Sequence, residues 1–308
     1  MKFSLLSLVA GNMSCNARCP FCIAHMTPSQ GITRAKNIID WNNFHKSCQL
    51  ANRHGTQTVM ITGKGEPTLF PQEISDYLTE LVEYDFPFVE LQTNGILFTT
   101  QRERYEAYLR QWRERGLTTI AISVVHYLSE MNRRIYTPQA SHYIDLPELI
   151  EFLHSFGFTV RLATIMLGSY IDSLSELQNL IKFARTNDVE QLAIRPVNLS
   201  KEGGTLEMRS WITEHRIDQS RLTEIGEWLD ENATLLYRYS HGATVYDVDG
   251  QNLCVTNSLT VNTAPSEVRQ LIFFPNGTLA YDWDHRGAVL LRGAFVGSEG
   301  VSVLRRIV

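Results

Sequence analysis

Cysteine is scarce, with five in 308 residues. So small and odd a number, with no secretory signal, excludes a disulfide framework and points to reduced thiols in the cytoplasm. Long apolar runs are missing too. No stretch approaches the roughly 18 apolar residues that a membrane-spanning helix needs. The short stretch from Phe3 to Ala10 is broken by serines and followed at once by cysteines, so it reads as a first strand and not an export signal. Basic residues are not in excess: 28 against 33 acidic ones leaves a formal charge of −5. That excludes a broad surface for nucleic acid or anionic lipid, though not a local basic pocket. There is no internal repeat and no low-complexity tract. A composition of 44% hydrophobic and 20% charged residues is that of a globular protein with a sizeable core.

Helical and strand patterns alternate along the chain. Asp40 can cap a helix whose apolar face is Trp41, Phe44, Cys48 and Ala51, with Gly55 as its stop. "TQTVMIT" reads as a buried strand, and Pro71 opens a helix with Ile74, Leu78, Leu81 and Val82 on one face. "FPFVELQT", "LTTIAISVV", "FTVRLATIM" and "EQLAIRPV" supply further strands, separated by helices over 101–115, near 145–156, after the Ser173/Glu176 capping box, and around 218–231. Six β-then-α units imply an α/β protein with a mostly parallel sheet. Six are too few for a full eight-fold barrel, so the expectation is a partial (β/α)6 barrel. After residue 240 the texture changes, and Asp249-Gly250 and Asn276-Gly277 mark hairpins. We divide the chain into a core over 1–235 and a small β-hairpin-rich extension over 236–308 that closes the barrel mouth.

What the chain does contain is a cluster. "MSCNARCPFC", from Met13 to Cys22, places Cys15, Cys19 and Cys22 in the pattern C-x-x-x-C-x-x-C. The loop follows the first strand, and in α/β sheets ligands gather at the carboxyl ends of strands. A structural zinc site normally takes four protein ligands, with His25 as the available fourth. A cubane iron–sulfur cluster on three cysteines leaves one iron open to a small molecule. A redox pair at Cys19 and Cys22 lacks thioredoxin-like surroundings. Spacing alone leaves zinc and iron–sulfur nearly level. Two later turns add information. "GKGEP" (Gly63 to Pro67) ends the second strand, where Gly65 permits close backbone approach, Glu66 adds a carboxylate and Pro67 fixes the exit, a combination suited to an ammonium group. "TNG" (Thr93 to Gly95) ends the third. The order of the three turns is a stronger signal than any one of them.

In that order, over roughly residues 3–200, the sequence resembles the radical S-adenosylmethionine (radical SAM) superfamily, most specifically in "CNARCPFC". The resemblance implies one 4Fe-4S cluster held by Cys15, Cys19 and Cys22, with the open iron chelating the amino and carboxylate groups of S-adenosylmethionine. It implies reductive cleavage of that molecule to a 5′-deoxyadenosyl radical, hydrogen abstraction from a substrate, and an electron donor such as flavodoxin or ferredoxin. By the same resemblance Phe21 lies on the adenine side, and Gly63, Gly65, Glu66 and Pro67 hold the ammonium group. Lys64 interrupts a run that is often all glycine. Asn94 and Ser123 stand where the family contacts the methionyl part or ribose. Arg161 is placed to meet the carboxylate, and Arg195 to do the same or to bind substrate. A small-molecule or nucleotide-like substrate is expected, with a short peptide, epimerised or cross-linked, as the alternative. A zinc-stabilised binding module using the same cysteines is the reading from a different class.

The remaining candidates are weaker. Cys48 falls on an apolar helix stripe and reads as packing. Cys254 reads first as a small buried residue, and more sharply as a thiol that returns a hydrogen to a substrate radical. It is the only cysteine after residue 235, so no auxiliary cluster is expected. His25 and His126 follow strand ends and are pocket candidates. "NRRIY" (Asn132 to Tyr136) suits an anionic substrate, and Asp282, Trp283 and Asp284 are placed to reach the mouth.

Overall fold

Strand β1 (Lys2–Val9) begins a computed structural model that describes residues 2–200, 203–256 and 267–293. The elements then follow as α1 (Trp41–Arg53), β2 (Thr58–Thr62), α2 (Pro71–Leu81), β3 (Phe88–Thr93), α3 (Ile96–Thr100), α4 (Arg102–Glu114) and β4 (Thr119–Val124). Next come α5 (Ser129–Tyr136), α6 (Leu146–His154), β5 (Thr159–Met166), α7 (Leu174–Thr186) and β6 (Gln191–Pro196). The chain continues through α8 (Leu206–Glu214), α9 (Gln219–Asn232), β7 (Thr234–Arg238), β8 (Thr244–Val248), β9 (Gln251–Val255), β10 (Glu267–Phe273), β11 (Leu279–Ala280) and β12 (Val289–Leu291).

Local chemistry explains these boundaries. Asp40 caps α1 by accepting the Asn43 amide at 3.0 Å, and Ser173 caps α7 by accepting that of Glu176. Each cap stabilises its helix by about 1 kcal/mol. Helix α1 buries Phe44, Ser47, Cys48 and Ala51 along one stripe. Phe44 stacks on Tyr77 of α2 and meets Phe273 of β10 edge-on, so the core between helices and sheet is aromatic at this end. Each such side chain contributes roughly 1.5–3 kcal/mol by leaving water. Cys48 has no accessible surface and is packing, as its stripe predicts.

Strands β1 to β6 lie side by side, parallel and in sequence order, which gives the α/β architecture its parallel-rich sheet. The strands after residue 240 do form antiparallel pairs, β8 with β9 around Asp249-Gly250 and β10 with β11 around Asn276-Gly277. Asp249 and Gly250 both have positive φ (50° and 87°), the conformation a two-residue hairpin turn demands. Their destination differs from a simple cap. β9 runs parallel beside β6, and β10 runs parallel beside β1, so the two hairpins extend opposite edges of one sheet. The Ser240 hydroxyl, just after β7, donates to Glu267 at the start of β10, so the two flanks approach each other. Residues 257–266 and 294–308 of the expected extension lie outside the described residues.

Three elements have no clear sequence signal. All five residues of β7 are exposed, including Leu235, Leu236 and Tyr237, so the strand rests on its ladder to β8 and not on an apolar alternation. Helix α8 buries only Ile212, and α3 is too short for a periodicity to show. No helix among the described residues is long and apolar enough to cross a membrane.

The sheet has two unlike faces. Towards the helices, Val59, Ile61, Leu162 and Leu192 are sealed at 0% exposure. Their neighbours on the other face, Met60, Ala163 and Ala193, remain half-buried although they sit in central strands. That second face leads to the cysteine loop.

Candidate active site

The site begins with a close backbone approach. The Glu66 amide donates to the Ser14 carbonyl at 2.9 Å, which draws the GKGEP turn against the cysteine loop. A Cβ at Gly65 would stand 2.0 Å from the Ser14 oxygen and 2.7 Å from that of Asn12, so only glycine fits. Next along, the Glu66 carboxylate is 4% exposed and accepts four bonds from within the chain. The Thr68 amide (3.0 Å), the Thr68 hydroxyl (2.7 Å) and the Thr93 hydroxyl (2.6 Å) donate to one oxygen, and the Asn94 amide (2.9 Å) donates to the other. Burial raises this carboxyl above the usual range while the four donors oppose the shift. Asn94 completes the join. Its side-chain amide donates to Asn16 in the cysteine loop at 2.7 Å, and its carbonyl oxygen accepts the Ile96 amide at 3.0 Å. The three turns singled out in the sequence are therefore tied into one unit.

Within that unit Cys15, Cys19 and Cys22 are free thiols. Cys15 is exposed as a residue, yet the surrounding chain still crowds its sulfur. Burial pushes its thiol up to about 11, and raises Cys19 and Cys22 as well. Local donors act the other way: the Ala17 amide reaches the Cys15 sulfur at 3.4 Å, and the Ala24 and His25 amides and Lys64 favour the Cys22 thiolate. Such thiols stay protonated alone and ionise on soft metal centres. His25, the candidate fourth zinc ligand, is exposed.

Lys64, the residue that departs from an all-glycine turn, is buried beside the loop. Its ammonium donates to the Thr27 hydroxyl at 2.5 Å and lies 5.3 Å from the Trp283 ring. Burial brings it down to about 8, opposed by Cys22 and Asp284. Asp284 also accepts the Ser200 hydroxyl at 3.0 Å, and Trp283 meets Phe274 edge-on. The segment "YDWDH" thus does reach the loop, through Lys64.

Sequence reasoning missed other contributors. Tyr136 and Tyr143 stack at 5.9 Å, and both hydroxyls are buried without a partner, as is the side-chain amide nitrogen of Asn16 on its nitrogen side. Tyr136 belongs to an apolar cluster that Cys19, Phe21 and Trp211 pack against. The Phe21 ring lies 5.9 Å from Trp211 and 6.5 Å from Tyr136. Buried donors left unpaired are destabilising by about 1–3 kcal/mol each, a cost that a polar partner would relieve. Tyr136 was visible only as the end of "NRRIY", and nothing in the local pattern marks Trp211.

The other expected site residues lie on strands β4, β5, β6 and β9 and in the segment after β4. Arg161 is near the amino end of β5, where its guanidinium pairs with the buried Glu90 and donates to Gln191. Glu90 of β3 shares its face, and the Arg161 side chain stays 32% accessible. Ser123, Arg195 and Cys254 sit half-buried on the same side of the sheet. His126 is buried: its Nδ1 accepts the Leu128 amide at 3.0 Å and its Nε2 stands 3.5 Å from Glu176. Burial lowers it, against Glu176. It lines an open pocket of about 530 Å³ with Tyr170, Asp172 and Arg221.

An α/β sheet with a three-thiol loop tied to two further turns at the carboxyl ends of its strands defines a class of cofactor-dependent enzyme. The model of the Radical SAM superfamily matches residues 13–184, more than half of the chain, and the protein is an enzyme of that superfamily. It is 23% identical over 265 residues to a protein of Chlorobium phaeobacteroides named as a probable dual-specificity RNA methyltransferase RlmN, covering 80% of this chain and 66% of that one. A protein of the same name from Chlorobaculum tepidum is 22% identical over 252 residues, at 80% and 64%. The chain thus spans slightly less than two thirds of the length of these curated relatives. Among solved structures, Streptococcus suis SuiB bound to S-adenosylmethionine shares the fold over 98% of this chain and 61% of its own, with a TM-score of 0.55 and 14% identity. Membership implies a 4Fe-4S cluster and S-adenosylmethionine.

Proposed function

We propose that the chain binds one 4Fe-4S cluster through Cys15, Cys19 and Cys22 and acts with S-adenosylmethionine on a small-molecule or nucleotide-like substrate. When bound, cluster and cofactor supply reductive cleavage to methionine and a 5′-deoxyadenosyl radical that takes a hydrogen from the substrate. The observation carrying this reading is the joining of the three turns through Glu66 and the Asn94–Asn16 bond, beside buried donors without partners.

The residues divide the work. The backbone of Gly63, Gly65 and Pro67 shapes the seat for the ammonium group, and Glu66 holds that seat from behind. Phe21 and Trp211 offer an apolar surface for adenine. Asn94 and Ser123 face the methionyl part or ribose. Arg161, already neutralised, supports the sheet, which we read as a partial (β/α)6 barrel over 1–235 extended by residues 236–308. A one-electron donor such as flavodoxin or ferredoxin would serve a cluster at this loop. A carbon radical requires that water be kept out, and the rings of Phe21, Trp211, Tyr136 and Tyr143 pack on one side of the loop.

Anaerobic reconstitution should give about four irons and four sulfides per chain. Alanine at Cys15, Cys19 or Cys22 should abolish this, and alanine at Cys48 should not. Reduced protein should release 5′-deoxyadenosine slowly without substrate. Zinc as the native metal, lost on His25→Ala, would overturn the reading. The likeness to proteins named as RNA methyltransferases favours a second reading, methyl transfer to RNA. The net charge of −5 argues against a broad RNA surface, and the absence of label transfer from methyl-labelled S-adenosylmethionine to RNA would remove it.

A further inference from the structure

Lys64 bridges the two ends of the cysteine loop. On one side its own turn holds the start of the loop, where the Glu66 amide donates to the Ser14 carbonyl at 2.9 Å, next to Cys15. On the other side its side chain reaches the end. The ammonium donates to the Thr27 hydroxyl at 2.5 Å, and that hydroxyl donates to the Ile23 carbonyl at 2.9 Å. Ile23 follows Cys22 directly in the chain, so two hydrogen bonds in series lead from the cation to the residue beside the last cysteine. The Cys22 carbonyl belongs to the same short turn and accepts the His25 amide at 3.1 Å.

The cation is also enclosed. Lys64 is 3% exposed. Its ammonium lies 5.3 Å from the Trp283 ring, and Trp283 and Met13 both pack against an apolar cluster that includes Ile32 and Phe274. Its hydrogen-bond partners among the described residues are the hydroxyl and carbonyl of Thr27, and neither is charged. The nearby Asp284 is engaged by the Ser200 hydroxyl at 3.0 Å. A cation buried without an ion pair is costly to the chain alone, and a methionine would fill the same space without that cost. An anion next to it offsets the cost. Thiols that ionise on a soft metal centre supply one.

We propose that Lys64 sets how readily the three-cysteine centre is reduced: its ammonium, fixed by Thr27 and Trp283 beside the end of the loop, favours the reduced form. The inference rests on the radical SAM reading above and adds to it a residue that governs the entry of the electron. The step is the transfer of one electron from the donor to the centre. It adds one negative charge and makes or breaks no bond, so a fixed positive charge nearby lowers the energy of the product more than that of the reactant. Apolar walls extend the reach of that charge beyond what water allows. The coupling has the required sign, since Lys64 favours the Cys22 thiolate and Cys22 supports the Lys64 charge.

The test is a redox titration of reconstituted protein at neutral pH without S-adenosylmethionine, read by the electron paramagnetic resonance signal of the reduced cluster. Lys64→Met removes the charge at similar volume. At one poised potential its ratio of reduced to oxidised centre should fall about tenfold, equivalent to about 59 mV for a one-electron couple. Lys64→Arg keeps the charge and should stay within about threefold of wild type. Iron content should be the same in all three proteins, because Lys64 is not a ligand. An unchanged ratio in Lys64→Met overturns the proposal, and weaker S-adenosylmethionine binding alongside it would assign the ammonium to the cofactor. Equal falls in both variants overturn it as well, since packing and not charge would then set the ratio. Loss of iron in both would make Lys64 a prop for the loop and overturn it too. The underlying reading fails separately: wild type without about four irons, or without a reducible signal, defeats both. A normal wild-type centre that ignores residue 64 defeats this proposal alone.

Discussion

Single residues at this site are best understood by what they already hold. Arg161, expected from the resemblance to meet the carboxylate of S-adenosylmethionine, pairs in the structure with Glu90, which is 4% exposed. Arg161→Ala should therefore lower unfolding stability by about 2–4 kcal/mol, somewhat below a fully buried pair because the arginine side chain is 32% accessible. The double variant with Glu90→Gln should recover most of that in urea unfolding. Unchanged stability with weakened S-adenosylmethionine binding would instead make Arg161 a cofactor ligand. Gly65 is the opposite case, a residue defined by what it lacks. Gly65→Ala pushes a methyl group onto the Ser14 carbonyl, which is backbone and cannot rotate away. A loss of about 1–3 kcal/mol, with poor iron retention, is expected. Full iron content at wild-type Tm would show that the loop yields.

At the scale of elements, three turns from three strands behave as one. Glu66 is the joint, since its acceptors reach the GKGEP turn itself and the TNG turn. Glu66→Ala leaves two amides and two hydroxyls without an acceptor, and should lower both Tm and the iron-to-protein ratio. Glu66→Gln keeps the volume but presents one oxygen in place of two, so it should fall between alanine and wild type. Equal iron content in all three proteins would mean that the cysteine loop stands without the joint. The helices were the legible part of this scale, because caps and apolar stripes are local. The fully exposed β7 and the thinly packed α8 were not, because what holds them is pairing or contact with distant chain.

At the scale of the molecule, the flanks of the sheet meet where Ser240 bonds Glu267, and His241 lies next in sequence. Burial holds the His241 imidazole down at about 4, Arg269 adds to the shift, and Glu267 opposes it. Between pH 6.5 and 4 the unfolded chain therefore binds a proton that the native chain does not. Stability should fall as pH is lowered through that window and be fully present above it. His241→Gln should flatten the urea midpoint between pH 7 and 4.5. An equal acid loss in the variant would assign it to other groups and leave this juncture untitrated.

The sequence by itself determined the class of protein. Cysteine spacing, a glycine-acid-proline turn and a third turn, each after a β-rich run, are local patterns, and local patterns survive without coordinates. Alternating periodicities also determined the parallel α/β sheet, since a strand followed by a helix has few ways to return. Tertiary structure decided the partners. Glu66 turned out to face its own chain, Arg161 to face Glu90, and Tyr136 and Tyr143 to bring unpaired hydroxyls beside Cys19. It also sent β9 and β10 to opposite edges of one sheet. The reason is physical: a residue's neighbours along the chain set its conformation, but which buried donor meets which acceptor depends on strand register between segments far apart in sequence.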